Sequence, residues 1–229
     1  VVLNLTNPAS HHEVTRESLE AGRHVWAEKP MTLTLPEARA LHDLAAARGL
    51  ILASAPASVL GRAAQTLAHA VRSGAVGVPR LIYAELDDGY IPQAPHATWQ
   101  SESGAPWPAA DEFATGCTLE HAGYYLSWLI AMFGPVRTVV AAAASLIPGK
   151  GTDTPDVSVA TLFFAAGQVA RLTCSIVAPH DHRIRVVGDR GVAEVAQAWE
   201  NAAPVRVRRP LVLRRRLLDS PIARRHRLP

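Results

Sequence analysis

The sequence predicts an α/β chain in two unequal parts. A piece of a doubly wound parallel sheet comes first, and an α+β domain with a large, mostly antiparallel open sheet follows. Three observations predict this. Over the first fifty-odd residues, short apolar runs alternate with helical segments joined by brief turns, the rhythm of parallel strands with crossover helices. Beyond Val136 the rhythm changes to strands punctuated by tight turns. The 229 residues, 48% hydrophobic and 19% charged, are too apolar for a disordered chain and long enough for more than one domain.

Val1–Leu5 is an apolar run of the kind found in strands covered on both faces. Ser10-His11-His12-Glu13 has the form of a capping box, opening a helix that stops at Gly22. His24–Ala27 reads as a short strand. Thr34, Pro36 and Glu37 mark a second helix start. That helix presents Ala38, Leu41, Leu44 and Ala45 on one face and ends at Gly49, before the strand Leu50–Ser54. This is part of a Rossmann-like sheet, with residues 1–56 as the C-terminal half of a dinucleotide-binding domain.

A helix over Val59–Ser73 begins an α+β domain, residues 57–205, which the family resemblance described below implies is the substrate and oligomerisation domain. Arg80–Leu86 alternates like a half-buried strand, and Asp88–Ala110, with Trp99 and Trp107, reads as a long functional loop. Thr118–Phe133 is a helix closed by Gly134-Pro135. Strands follow at Thr138–Ala144, Val157–Ala165, Gln168–Val177, Ile184–Val187 and Val192–Ala196, with hairpin turns at Ala166-Gly167 and Asp189-Arg190-Gly191. Residues 206–229 form an arginine-rich segment, read as further strand or the remains of a sheet.

Composition excludes several classes. No apolar run reaches the roughly 20 residues that cross a bilayer. Val1-Val2-Leu3-Asn4-Leu5 has no basic n-region, so it is not a signal peptide, and with Met31 the first methionine it reads as the middle of a larger protein. Two cysteines, Cys117 and Cys174, make no disulfide framework and read as buried thiols in a reducing, cytoplasmic setting. Residues 206–229 carry nine arginines against Asp219, a net +8, which leaves −5 on residues 1–205. A nucleic-acid grip through that tail is the weaker reading, because Val205-Arg206-Val207-Arg208 and Leu211–Leu213 alternate like strands. Lys29 and Lys150 are the only lysines, which draws attention to both.

Glu28-Lys29-Pro30 directly follows a strand, where the carboxyl ends of an open parallel sheet face a ligand crevice. A lysine there can move a proton if desolvation or a neighbouring cation brings its pKa down from about 10.4. The plain alternative is a surface turn with a solvated ion pair.

Asn7-Pro8-Ala9-Ser10-His11-His12, Ala21-Gly22-Arg23-His24-Val25-Trp26-Ala27-Glu28-Lys29-Pro30 and Gly116-Cys117-Thr118-Leu119-Glu120-His121-Ala122-Gly123-Tyr124 together resemble the glucose–fructose oxidoreductase, inositol dehydrogenase and MocA (Gfo/Idh/MocA) family. The resemblance extends over nearly all of residues 1–200. It implies an oxidoreductase using NAD or NADP, moving a hydride to or from a hydroxyl or keto carbon of a sugar, cyclitol or related polyol. It also implies a homo-oligomer formed through the open sheet. It places Lys29 near the nicotinamide and the substrate hydroxyl, and Glu28 and Pro30 on the cofactor side. Asn7, Pro8 and His12 fall where the chain lines the dinucleotide. Tyr124 falls where members carry a catalytic histidine or tyrosine, and Glu120 stands for the usual Asp. Ala122 and Ser127 depart from the pattern, so the substrate is left open.

The residues support part of this directly. Alcohol oxidation needs a hydride acceptor and a proton acceptor, and an ammonium lowers the pKa of a nearby phenol from about 10. Glu120 and Tyr124, four apart, share a helix face, so Glu120 can orient substrate. The alternative for Tyr124 is a core aromatic beside Tyr125 and Trp128. His121 is a second acid/base and substrate-binding candidate. His180-Asp181-His182 could hold zinc or substrate, but after Pro179 an exposed turn is the better reading. Pro148–Thr152 lacks the register of a phosphate loop. The competing function is an inactive member kept for binding or assembly.

No G-x-G-x-x-G turn occurs in the sequence, and we expect it to precede Val1. Isothermal titration of the 229-residue chain is therefore expected to give only weak NAD or NADP binding. Micromolar affinity would overturn that expectation.

Overall fold

The computed structural model describes residues 1–228. Three short parallel strands, β1 (Val2–Asn4), β2 (Val25–Ala27) and β3 (Leu52–Ser54), lie side by side in sequence order. Helices α1 (His11–Glu20) and α2 (Leu35–Ala47) make the crossovers. Their core is small: Leu19, Val25, Leu41 and Ala45, with Leu44, Leu50 and Leu52 packed against it. Thr34 and Glu37 form the expected reciprocal cap of α2. The cap expected at Ser10 does not form. Its backbone is already helical after a 3-10 turn (Pro8–Ser10), and Glu13 bonds Arg16 instead.

Helix α3 (Arg62–Arg72) crosses onto a nine-stranded sheet whose centre is β4 (Pro79–Tyr90). The first part of β4 lies between β7 (Val169–Ser175), parallel to it, and β9 (Ile184–Gly188), antiparallel. Beyond β7 come β6 (Val157–Phe164) and the edge strand β5 (Val136–Ala144). On the other side lie β10 (Gly191–Val195), β11 (Val205–Arg208) and β14 (Arg224–His226). The arginine-rich tail thus supplies two strands to the large sheet. Between them runs a separate hairpin of β12 (Leu211–Leu213) and β13 (Arg216–Leu218). Helix α5 (Cys117–Phe133) lays Tyr125, Trp128, Leu129 and Phe133 onto the sheet, and α3 adds Leu67 and Ala70 to the same core.

Two readings change here. β4 runs to Tyr90 instead of ending near Leu86, because β8 (Val177–Asp181) pairs with its far half. His180 and Asp181 therefore belong to a strand and not to an exposed turn, and His182 is buried. After β4, residues 91–108 contain short 3-10 turns, and α4 (Ala109–Thr115) precedes α5. Cys117 and Cys174 are buried free thiols, and burial pushes the Cys117 thiol up to about 11.

The second lysine has a structural role. Lys150 Nζ donates to the Thr154 carbonyl at 2.5 Å and to the Asp156 carboxylate. Asp156 is fully buried and also accepts the Leu146 and Ile147 amides at 2.7 and 2.9 Å, which closes the β5–β6 loop. Burial disfavours the Asp156 anion, but Lys150 and the two amides outweigh it and hold its carboxyl below the ordinary value. A depressed carboxyl contributes stability that is present above about pH 4 and lost as pH falls through the folded-state value. Lys150→Met leaves that charge buried and unpaired and is expected to destabilise by about 3–5 kcal/mol in urea unfolding at pH 7. Loss under about 1 kcal/mol would show that the pair is dispensable.

Candidate functional site

Lys29 lies at the carboxyl end of β2, where the three strands of the small sheet open toward α5. The Glu28 amide donates to the Asn4 carbonyl at 2.9 Å, so the chain keeps the strand direction up to the lysine. The Lys29–Pro30 and Ala55–Pro56 peptides are cis. Buried His11 fixes the neighbouring turn, its Nδ1 2.7 Å from the Pro30 carbonyl oxygen and its Nε2 2.8 Å from that of Thr6. Buried Asn4 reinforces it by donating to the His11 carbonyl and to Thr15 Oγ1, both at 3.0 Å. His12, the histidine singled out in the sequence, stays half-buried, and its neighbour His11 shapes this wall. Pro8 is buried, and Asn7 donates to Asp111 of α4.

Lys29 Nζ reaches Glu120 of α5 and forms an ion pair that is nearly closed off on the glutamate side, with side-chain exposures of 21% and 3%. Glu120 Oε1 is buried without a hydrogen-bond partner. Burial, together with the adjacent Glu112 carboxyl, pushes Glu120 up to about 8 even though Lys29 opposes the shift. Burial also works against the Lys29 ammonium, but Glu120 across from it holds its pKa above the ordinary value. That direction is the reverse of the lowering considered from sequence, because the partner is a carboxylate and not a cation.

The two aromatic-face candidates separate. His121 and Lys29 line one cavity of about 410 Å³, together with Asp88, Trp99, Trp107 and Glu112. Burial drives the His121 imidazole toward its neutral form, although Asp88 Oδ2 lies 3.4 Å from its Nε2. Tyr124, one turn further on, packs its ring on Trp199 at 4.6 Å and lines a different cavity with Ser58 and Asn201. Burial raises its phenol, and Lys29 only partly counters this. Tyr125 points into the core. The residue 91–108 segment earns its length by forming an aromatic wall: Trp99, Trp107 and His96 meet edge-on with centroids 5.1–6.3 Å apart, and Phe113 of α4 joins them.

Sequence reasoning missed His11, Asp88 and Glu112 as parts of this region and set His182 aside in an exposed turn. Asp88 lay in a stretch read as loop and Glu112 in the unassigned residues before the next helix, and only pairing of β8 with β4 brings Asp88 beside the histidines.

Comparison with known proteins agrees with this architecture. Residues 1–55 match the oxidoreductase family described as NAD-binding Rossmann fold, and residues 64–194 match the GFO/IDH/MocA C-terminal domain. Mouse trans-1,2-dihydrobenzene-1,2-diol dehydrogenase is 26% identical over 196 residues, 85% of this chain and 54% of that protein. A dTDP-3,4-didehydro-2,6-dideoxy-alpha-D-glucose 3-reductase of Streptomyces violaceoruber is 40% identical over 78 residues, 34% of this chain and 23% of that one. An Azotobacter vinelandii inositol dehydrogenase homolog, solved with NADH and myo-inositol, superposes with a TM-score of 0.73 at 20% identity. The superposition covers 96% of this chain and 55% of that one. The chain spans about half the length of the mouse relative and of this solved structure. It belongs to the Gfo/Idh/MocA oxidoreductase family.

Proposed function

We propose that the protein of which this chain forms part is an NAD- or NADP-dependent oxidoreductase acting on a hydroxyl or keto carbon of a sugar, cyclitol or related polyol. The observation that carries this reading is Lys29, at a strand end of a dinucleotide-binding sheet, paired with a buried glutamate of the second domain at the mouth of an aromatic-walled cavity. Polar groups at the strand ends and the buried, unpartnered Glu120 Oε1 suit the polar, cationic end of a nicotinamide. Asn7, Pro8, Glu28, Lys29 and Pro30 would hold it, with His11 more than His12 shaping that wall. When bound, the cofactor supplies the hydride acceptor or donor.

The chain's own residues move the proton. In the oxidative direction Lys29 Nζ bonds the substrate oxygen and receives the hydroxyl proton as it passes one of its own to Glu120. The carboxyl of Glu120, pushed up to about 8, suits a proton held and released near neutrality. His121, neutral and facing the same cavity, orients a further hydroxyl. Trp99 and Trp107 offer an apolar face to a sugar ring while excluding water. Tyr124 supports the Trp199 side and takes no proton, because burial moves its phenol away from that task.

In the full-length protein, Lys29→Met is expected to lower kcat/KM by about 10²- to 10⁴-fold, and Tyr124→Phe by less than about tenfold. The oxidative kcat/KM should rise with pH through about 8, since the acceptor must be unprotonated, and Glu120→Gln should flatten that rise. Following reduced-nicotinamide absorbance across a polyol panel tests this. An active Lys29→Met with a dead Tyr124→Phe would sink the assignment, and no turnover with any polyol would sink the function.

The outer side of the sheet carries exposed Val140, Val159 and Phe163, an apolar patch for which a second copy is the fitting cover. Sedimentation of the native protein should give a multiple of the protomer mass, and Val140→Glu should lower it. A monomeric native protein would exclude this interface.

A further inference from the structure

Three imidazoles converge on one carboxylate at the edge of the Lys29 cavity. Asp88 lies at an irregularity of β4, where the register against β8 shifts between Asp87 and Gly89, so its side chain leaves the strand's alternation. Its Oδ1 is 3.2 Å from His182 Nε2 and 3.8 Å from His180 Nδ1. Its Oδ2 is 3.4 Å from His121 Nε2. One donor atom from each of Asp88, His180 and His182 fits within a set whose members all lie within 4.8 Å of one another.

From this geometry we infer that Asp88, His180 and His182 bind one divalent transition-metal ion, of the zinc, cobalt or nickel class that imidazole favours. Donor atoms about 2.0–2.1 Å from a tetrahedral ion stand roughly 3.3 Å apart, close to the separations found here. His182 is also prepared as a ligand. Gln197 Oε1 lies 2.8 Å from its Nδ1, and Trp199 stacks on its ring at 5.0 Å. Gln197 Oε1 accepts from Nδ1–H and so aims Nε2 at the Asp88 carboxylate, where a metal ion takes the place of the proton that an imidazolium donates to Asp88. His180 is given room by Gly89, whose missing side chain would otherwise stand 2.6 Å from the imidazole Nε2. His121 then serves as a donor to the second Asp88 oxygen and orients it.

His180 and Asp88 also line the cavity that holds Lys29, so the ion's remaining positions face that cavity. Service to a substrate oxygen rests on the proposed function, whereas the metal site itself does not.

Titrating the chelator-treated 229-residue chain with Co²⁺ and Zn²⁺, by calorimetry and by the visible spectrum of bound cobalt, tests the site. We expect one ion per chain with an intense tetrahedral-type cobalt spectrum. Asp88→Asn and exposed His180→Ala should each abolish that spectrum or weaken binding at least tenfold, while Gln197→Leu should weaken it about 10–100-fold. His42→Ala, at an exposed histidine on α2, should leave it unchanged. Binding no tighter than in His180→Ala, or equally reduced by His42→Ala, would overturn the site even if the protein proves to be an active dehydrogenase. A site that binds cobalt in a protein without dehydrogenase activity would leave the site standing and remove only its proposed service to substrate.

Discussion

The ion pair of Lys29 with Glu120 couples the two parts of the chain. The small parallel sheet has a core of four fully buried apolar residues, which fixes its internal packing but says little about where it sits against the rest. Polar contacts settle that. Lys29 reaches α5, and Asn7 reaches α4. Buried ion pairs contribute little net stability, because desolvation offsets their attraction. What such a pair supplies is a unique register: only one placement of β2 against α5 pairs both charges. The same constraint that orients the domains therefore positions the two titratable groups at the cleft.

β4 sets the other wall. Its twelve residues are long for a strand, and it changes partners along its length, from β7 and β9 to β8. The irregularity where the partners change releases Asp88 from the pleat, and the strand's end delivers the chain into the aromatic segment around Trp99 and Trp107. One element thus carries a carboxylate and the start of an apolar wall to the same side of Lys29. The surrounding sheet keeps that element rigid through the core of α5 and β4, in which Ile82, Ala84 and Leu86 face Trp128 and Leu129.

Legibility from sequence followed the physical scale of each signal. Period and punctuation reveal β1 to β3, α2 and α5, because apolar runs, Thr34–Glu37 capping and Gly134 act within a few residues. The pairing of Lys29 with Glu120 spans 91 residues and was legible only as a family pattern, not as a contact. β8 was lost because Val177–Asp181 holds a proline and two polar residues; it is a strand by virtue of β4, not by propensity. The choice between His11 and His12 was equally closed to spacing, since both are helical and only the carbonyls of Thr6 and Pro30 distinguish them. The arginine tail shows the converse. Its charge suggested a partner, whereas Val205 and Val207, alternating with arginines, place it in the sheet.

In the proposed reaction, the electrostatics of α5 favour Glu120 over Tyr124 as the proton acceptor. An ammonium lowers a phenol's pKa only if its field is not already spent on a nearer anion. Glu120 is that anion. It takes the hydrogen bond from Lys29, while the Tyr124 ring, packed against Trp199, is desolvated without comparable compensation. Burial of the glutamate beside Glu112 opposes its ionisation, so Lys29 faces a carboxyl that can take a proton near neutral pH. A lysine held charged between a cavity and such a carboxyl can give and regain a proton without leaving its position. In the proposed reaction, that would serve oxidation and reduction alike, since the same two atoms would exchange the proton in either direction. The arrangement works only while the cleft stays dry, because water around Glu120 would return its carboxyl to an ordinary acid. On the proposed mechanism, the segment carrying Trp99 and Trp107 is therefore as much a part of the proton chemistry as Lys29 and Glu120.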